Sequence, residues 1–280
     1  MLILGDFNRL TVARTVDFGI YLESEDGDVL MPGKYVPEGT KPGDEIYAFV
    51  YRDSEDRIIA TTLIPKVKVN EFAVLEVVDE NNHGSFLDWG LEKDLFVPYS
   101  HQKDRMIPGD FHPVYVYLDD TTDRLLATAK IGRFIENDNI ELKEGDKASL
   151  LVIGKTDLGY KVIIDNKYLG MLYQNEVFKD IQLGDRTEGY IKKIRPDNKI
   201  DVSLQKAGYD EVLDAKEIVL DALEQNNNSL PLSDKSDPEE IKKLLGMSKK
   251  TFKKAIGGLY KDGVIEITSD SVVLKANSKK

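Results

Sequence analysis

The chain has 280 residues, is 41% hydrophobic, contains no cysteine, and sets 38 Lys and Arg against 50 Asp and Glu for a net charge of −12. This excludes disulfide and thiol chemistry, a membrane span of roughly 20 apolar residues and a uniformly basic nucleic-acid coat. A local basic patch stays open, because charges more than about 8 Å apart are largely screened from one another.

The opening "MLILGDFNRL" has no basic segment, long apolar core or small-residue cleavage site, so a cytoplasmic protein is expected. Residues 1–65 read as a first unit of five short strands, roughly 8–14, 18–23, 28–31, 45–51 and 57–63. Val, Ile, Tyr, Phe and Thr fill these runs, and Gly, Pro, Asp or Asn separate them. Short strands in a unit of this size predict a small closed barrel rather than an open sheet with bare edges. Gly19 interrupts "TVDFGIYLES" inside the second strand, which predicts the bend or bulge that barrel closure needs. Strand alternation puts Phe18 and Ile20 on one face and Tyr21 on the other.

The pattern recurs at 66–135 and again at 143–207. "PGDEIYAFVYRDSEDRIIATT" (42–62) aligns with "PGDFHPVYVYLDDTTDRLLATA" (108–129), and more distantly with "LGDRTEGYIKKIRPDNKIDVSL" (183–204). Asp44, Asp110 and Asp185 step by 66 and 75 residues, and Gly19, Gly84 and Gly159 by 65 and 75. Two independent landmarks with matching spacing identify a tandem repeat.

Residues 209–280 differ. "YDEVLDAKEIVLDALEQN" carries Val212, Leu213, Ala215, Ile218, Val219, Ala222 and Leu223 at helical spacing. After the loop "NNNSLPLSDKS", Asp237 as N-cap, Pro238 at N1 and Glu240 at N3 start a second helix, which Gly246 ends. Ser248 caps a third helix over 249–263, and "VIEIT" and "SVVLK" form a hairpin. Helix, helix, turn, helix and hairpin is the order of a winged helix.

Barrels of the OB type bind single-stranded nucleic acid by stacking bases on surface aromatics and meeting phosphates with cations. Strand position nominates Phe18 and Tyr21 in the first unit, Phe86 and Trp89 in the second, and Tyr160, Tyr168 and Tyr173 in the third. The competing assignment for each is core packing, and for Trp89 a loop anchor against the barrel. Cations separate the units: the first two carry "ESEDGD" and "DDTTD", whereas the third has Lys192, Lys193, Arg195 and Lys199. In the third helix Lys249, Lys250, Lys253, Lys254 and Lys261 precede any acid, and Phe252, Ile256 and Leu259 form the buried stripe. The pairs 249/253 and 250/254 repel along adjacent helix rows, a cost a polyanion would relieve. A lysine-rich solvated face is the plain alternative.

Catalytic signals are absent. "IGKT" (153–156) lacks the first phosphate-loop glycine, since position 149 is Ser149. "DENNHG" (79–84) fails as a calcium loop at His83 and Gly90, and His83, His101 and His112 lack metal-ligand spacing. No enzyme, metal or cofactor is expected.

The runs "VDFGIYLE", "LGYKVIIDNKYLGMLYQNEVF" and "LGDRTEGYIKKIRPDNKIDVSLQ" resemble S1-type OB-fold RNA-binding domains. Three such units followed by "SDPEEIKKLLGMSKKTFKKAIGGLYKDGVIEIT" resemble the conserved virulence factor B family of bacterial RNA-binding regulators, over essentially the whole chain. The resemblance implies a mainly β chain of three tandem S1-like five-stranded barrels with a C-terminal α+β winged helix. It further implies single-stranded RNA as partner, an influence on virulence or accessory genes, and no catalytic centre. Phe18, Tyr21, Phe86 and Tyr160 match the family's aromatic positions beside the first glycine. The strand-three position that often holds a histidine is Tyr173 here, with Pro98 and Pro32 as its counterparts. Those prolines leave the first two units open as spacers or protein contacts. A DNA-binding transcription factor and a ribosome or nuclease adaptor are the competing functions.

Overall fold

The computed structural model describes residues 2–177, 180–205 and 209–275. They form two compact units, 1–136 and 137–280.

Unit 1 holds two closed barrels. The first runs through β1 (Phe7–Val16), β2 (Gly19–Leu22), β3 (Val29–Pro32), β4 (Glu45–Arg52) and β5 (Ile58–Thr61), closed in the order β1-β2-β3-β5-β4. The second repeats this cyclic order with β6 (Phe72–Asn81), β7 (Gly84–Asp88), β8 (Leu95–Pro98), β9 (Phe111–Asp119) and β10 (Arg124–Thr128). In unit 2 the third barrel uses β11 (Lys147–Thr156), β12 (Gly159–Ile164), β13 (Tyr168–Tyr173), β14 (Arg186–Ile194) and β15 (Ile200–Ser203) in the same order. The expected three five-stranded barrels are therefore present.

The repeat landmarks have distinct physical jobs. Each first strand carries a register shift, after Val12, Val77 and Val152. The Pro-Gly-Asp or Leu-Gly-Asp turn bonds to that same valine: the amides of Gly43, Gly109 and Gly184 donate to its carbonyl at 2.8 Å in each barrel. In return the valine amide donates to the carbonyls of Asp44, Asp110 and Asp185 at 2.9 Å. The turn thus closes each barrel onto the bulge of its first strand.

Gly19, Gly84 and Gly159 do something other than bend a strand. Each opens its strand directly after a tight turn, opposite Pro32, Pro98 and Tyr173. A Cβ there would lie 2.2 Å from the carbonyl oxygen of Met31, Val97 or Leu172. The glycine lets two backbones approach, and the bulges sit in the first strands instead. Because Phe18 belongs to the turn, alternation does not govern it: Phe18 is 60% exposed while Ile20 is buried, so the two do not share a face.

Alternation within β4 shows how the first two barrels join. Ile46, Ala48 and Val50 fill the first barrel with Leu10, Val12, Leu22 and Met31. Phe49 and Tyr51, on the opposite face, are also buried, inside a cluster with Trp89, Leu87 and Leu95 of the second barrel. Arg52 pairs with Asp123, Arg124 with Asp56 and Lys34 with Glu92 across the same junction.

Unit 2 continues with α1 (Tyr209–Gln225), β16 (Ser229–Leu230), α2 (Pro238–Leu245), α3 (Lys249–Lys261), β17 (Ile265–Ile267) and β18 (Val272–Leu274). This is the expected winged helix, with β16 added to the hairpin as a third strand. Asp237 caps α2 by accepting from the Glu239 amide, Gly246 ends it in the left-handed region, and Ser248 caps α3 by accepting from the Thr251 amide. Ala215, Val219 and Leu223 of α1 pack with Phe252, Ala255, Ile256 and Leu259 of α3. Ile218, assigned to the buried stripe by periodicity, instead faces out at 44% exposure, and the side chains of Val212 and Leu213 lie outside the described residues. No described helix is long and apolar enough to cross a membrane.

Candidate nucleic-acid interface

The acidity of the chain is divided unevenly. Unit 1 has 14 Lys and Arg against 25 Asp and Glu, and unit 2 has 24 against 25, so the net charges are −11 and −1. A polyanion is repelled far less by unit 2.

Burial sorts the nominated aromatics. Trp89 is 2% exposed, its rings lie 5.7 and 6.1 Å from those of Phe49 and Tyr51, and its indole N–H donates to the Lys93 carbonyl at 2.6 Å. It anchors the barrel junction and offers no face to a base on a passing strand. Tyr168 and Tyr160 are likewise core residues of the third barrel at 2% and 8% exposure. Their strand parity points inward, which overrides the suitability of an aromatic for stacking. Phe18 and Tyr21 remain outside, edge to face at 6.5 Å, with the Arg14 guanidinium 4.1 Å from the Tyr21 ring. Phe86 is half-buried, tilted against Phe96 at 5.1 Å.

On the third barrel Tyr173 is half-buried at the end of β13, and Arg195 holds it. The Arg195 guanidinium donates to the Tyr173 hydroxyl at 2.7 Å and to Asp201 at 2.9 Å. Asp201 raises the Arg195 pKa above its already high ordinary value, so the charge is permanent. Register places a row across the outer face: Gly154 beside Lys161, Lys161 beside Met171, Met171 beside Asp201, and Asp201 beside Lys193. Lys161 and Lys193 are exposed along it, and Lys155, also exposed, stands one register position away beside Tyr160. Lys155, Lys161 and Met171 were missed in the sequence, although counting alternate positions from Gly159 turns Lys161 outward. Lys199 is paired with Asp197 at 2.7 Å.

Lys192 points elsewhere, to a cleft of about 450 Å3 between the third barrel and α3. Tyr190, Lys192, Ser203 and Gln205 line one wall, and Ser248, Lys250, Thr251 and Lys254 the other. Glu176 sits between them: it pairs with Lys192 and accepts from the Ser203 hydroxyl at 2.7 Å. The helix lysines divide accordingly. Lys250 and Lys254 face the barrel, Lys253 lies 3.9 Å from Asp234, Lys249 donates to the Lys235 carbonyl at 3.3 Å, and Lys261 is exposed at the helix end. The third barrel and α3 thus bring together exposed lysines and an aromatic held in place, the residue types that single-strand-binding proteins use for phosphates and bases.

Comparisons with known proteins agree with this architecture. Residues 4–63 and 71–130 match the family model of the S1 domain, and residues 217–274 match that of the CvfB-like winged helix domain. The uncharacterized protein YitL of Bacillus subtilis is 28% identical over 274 residues, covering 93% of this chain and 90% of that protein. Conserved virulence factor B of Staphylococcus saprophyticus is 27% identical over 247 residues, 83% of this chain and 80% of that protein. A solved multidomain protein with nucleic acid binding domains from Streptococcus pneumoniae is 22% identical, with 97% of this chain and 98% of that one covered and a TM-score of 0.43.

Proposed function

Because the chain belongs to the conserved virulence factor B family, we propose that it is a cytoplasmic, non-enzymatic RNA-binding regulator of virulence or accessory genes. It takes single-stranded RNA through the third barrel and the winged helix together. The observation that carries this reading is the cleft in which Lys192 of the barrel faces Lys250 and Lys254 of α3. The near-neutral charge of unit 2 supports it, as does the Arg195-held Tyr173 on the same barrel. Each stacked base contributes about 1–3 kcal/mol, and the lysines add a salt-dependent attraction. The helix that enters the major groove in DNA-binding helix-turn-helix proteins here turns its first two turns toward a barrel, which favours a single strand over a duplex.

Fluorescence anisotropy of the full chain tests this. Single-stranded RNA, the same sequence as DNA, and duplex DNA are titrated across a salt series. RNA preference with a modest negative salt slope is expected, along with sharp weakening when Lys250 and Lys254 are both replaced by Glu. Duplex preference moves the function to the winged helix alone. The adaptor function has its own observation, a patch on unit 1 where Tyr47 is 65% exposed, stacked on Phe7, beside Ile64 at 81% exposure. Co-purification of a protein partner that survives removal of residues 143–280, without RNA binding by the full chain, selects that function.

A further inference from the structure

Unit 1 contains a cavity unlike the cleft of unit 2. It is a half-open pocket of about 520 Å3 between the second barrel and the turn after β4, inside the roughly 300–1,000 Å3 range of small-ligand sites. One wall is the outer face of β7, β8 and β10. Phe86 stands opposite Phe96 in the β7–β8 register, and Leu126 stands beside Phe96 in the β8–β10 register. Trp89 and Tyr51 contribute buried surface, and Arg52, Ser54 and Asp56 of the first barrel close the far side. Phe86, nominated above as a stacking aromatic of the second barrel, therefore lines this pocket.

The polar groups are specific. Arg52, Lys93 and Arg124 face Asp56, Asp94 and Asp119, so three cations balance three carboxylates. The cations are engaged: Arg52 with Asp123, Arg124 and Lys93 with Asp56. Asp94 stands apart. It lines the cavity two residues before Phe96 and, among the described residues, accepts no hydrogen bond. Burial, with the nearby Asp88 and Asp79 charges, pushes its carboxyl above the ordinary pKa. It is an acceptor short of donors.

The geometry points to a binding site for a single guanine base, stacked on the Phe86–Phe96 wall and read by the Asp94 carboxylate. An ionised carboxylate only accepts, and it has two oxygens. Guanine presents two adjacent donors on its Watson–Crick edge, the ring N1–H and the exocyclic N2 amino group. Adenine and cytosine each set an acceptor beside their one amino donor, and uracil flanks its N–H with two carbonyls, so each brings an acceptor against Asp94. The balanced rim and the −11 charge of unit 1 disfavour a long phosphate backbone and leave the base as the recognised part. This site is separate from the proposed RNA cleft of unit 2 and does not depend on it.

Trp89 is the lone tryptophan and lines the cavity, so its fluorescence reports occupancy. The full chain is titrated with guanosine, adenosine, cytidine and uridine, and then with short RNAs holding one or no guanine. Saturable quenching by guanosine is expected at affinity about tenfold or more above the other three, the discrimination of a bidentate contact. It should change little with salt. Asp94→Asn should abolish the guanosine preference while leaving weak stacking, and Phe96→Ala should remove quenching by all four. The single-guanine RNA arm tells a base within a strand from a free nucleoside, since both carry the same edge. Equal affinity for the four nucleosides, no saturable quenching by guanosine, or an unchanged preference in the Asp94→Asn protein overturns the assignment. Binding of oligouridylate, followed separately by anisotropy, reports the unit 2 cleft and shows which of the two readings has failed.

Discussion

Replacing Glu176 by Gln is expected to tighten RNA binding. Glu176 is the acid in the cleft of unit 2, with its side chain only 18% exposed, and it pairs with Lys192 while accepting from Ser203 at 2.7 Å. Gln keeps an oxygen for the Ser203 hydroxyl, so the local fold loses little. It removes one negative charge and releases Lys192 to a phosphate. One added phosphate contact on a single strand changes the salt slope by about −0.7. At roughly 0.15 M salt that slope corresponds to about a fourfold gain in affinity, or about 0.8 kcal/mol. Anisotropy of an oligouridylate across a salt series reads both quantities. A cycle with Lys192→Gln isolates the cause, since the gain should vanish when the lysine is absent. Unchanged or weaker binding by a protein that melts normally would show that Lys192 does not meet the strand.

Two glycines make opposite predictions. Gly159→Ala puts a Cβ 2.2 Å from the Leu172 carbonyl and 2.8 Å from the Gln174 amide nitrogen, and should cost on the order of 3 kcal/mol in thermal melting. Gly257→Ala meets nothing within 4 Å inside α3 and should stabilise by about 1 kcal/mol. Trp89→Ala should cost about 3–5 kcal/mol, and hydrogen exchange should show lost protection in both barrels of unit 1, because Phe49 and Tyr51 pack on it. His101, bonded to the Tyr117 hydroxyl at 2.7 Å, has its pKa lowered by burial and by Arg133 and Lys130, with Asp119 opposing. Its folded value lies below the unfolded one, so its stabilisation is complete above about pH 6.5 and is lost as pH falls through the folded value. The melting temperature should drop over that window, and His101→Gln should flatten the drop.

The barrels were legible because closure is a local requirement repeated three times. Gly19, Gly84 and Gly159, which step by 65 and 75 residues, each register against the equivalent position of the next strand, Pro32, Pro98 and Tyr173, which step by 66 and 75. The caps of α2 and α3 were legible for a similar reason, since Asp237, Gly246 and Ser248 act on neighbours within a turn or so of helix. Most of what failed depends on contacts far apart in sequence, and one failure is local. Trp89 looks like a stacking residue until the first barrel covers it. Tyr160 and Tyr168 are aromatic residues on strands, and residue type alone does not say which face of a strand is inside. Phe18 broke the alternation because the turn extends one residue further than its apolar character implied. Helical spacing gave the rows 249/253 and 250/254, but only the packing of the tail beside the third barrel turns Lys250 and Lys254 toward the cleft.

The same fold, repeated, differs between the units in where its cations find partners. In unit 1 ten of the 14 cations join ion pairs, several of them across the barrel junction. Exposed pairs of this kind stabilise little individually, but each leaves its cation less open to a phosphate. In unit 2 Lys155, Lys161, Lys193, Lys250 and Lys254 join no ion pair among the described residues. Total charge therefore misleads about this chain. On the proposed reading, a strand bound to unit 2 meets lysines that join no ion pair among the described residues, and the net charge of the whole chain does not describe that surface. The acidic barrels discourage loose binding to polyanions generally, so the proposed RNA affinity has to rest on stacking and on a few placed cations, which is why the Glu176→Gln salt slope is the sharper test.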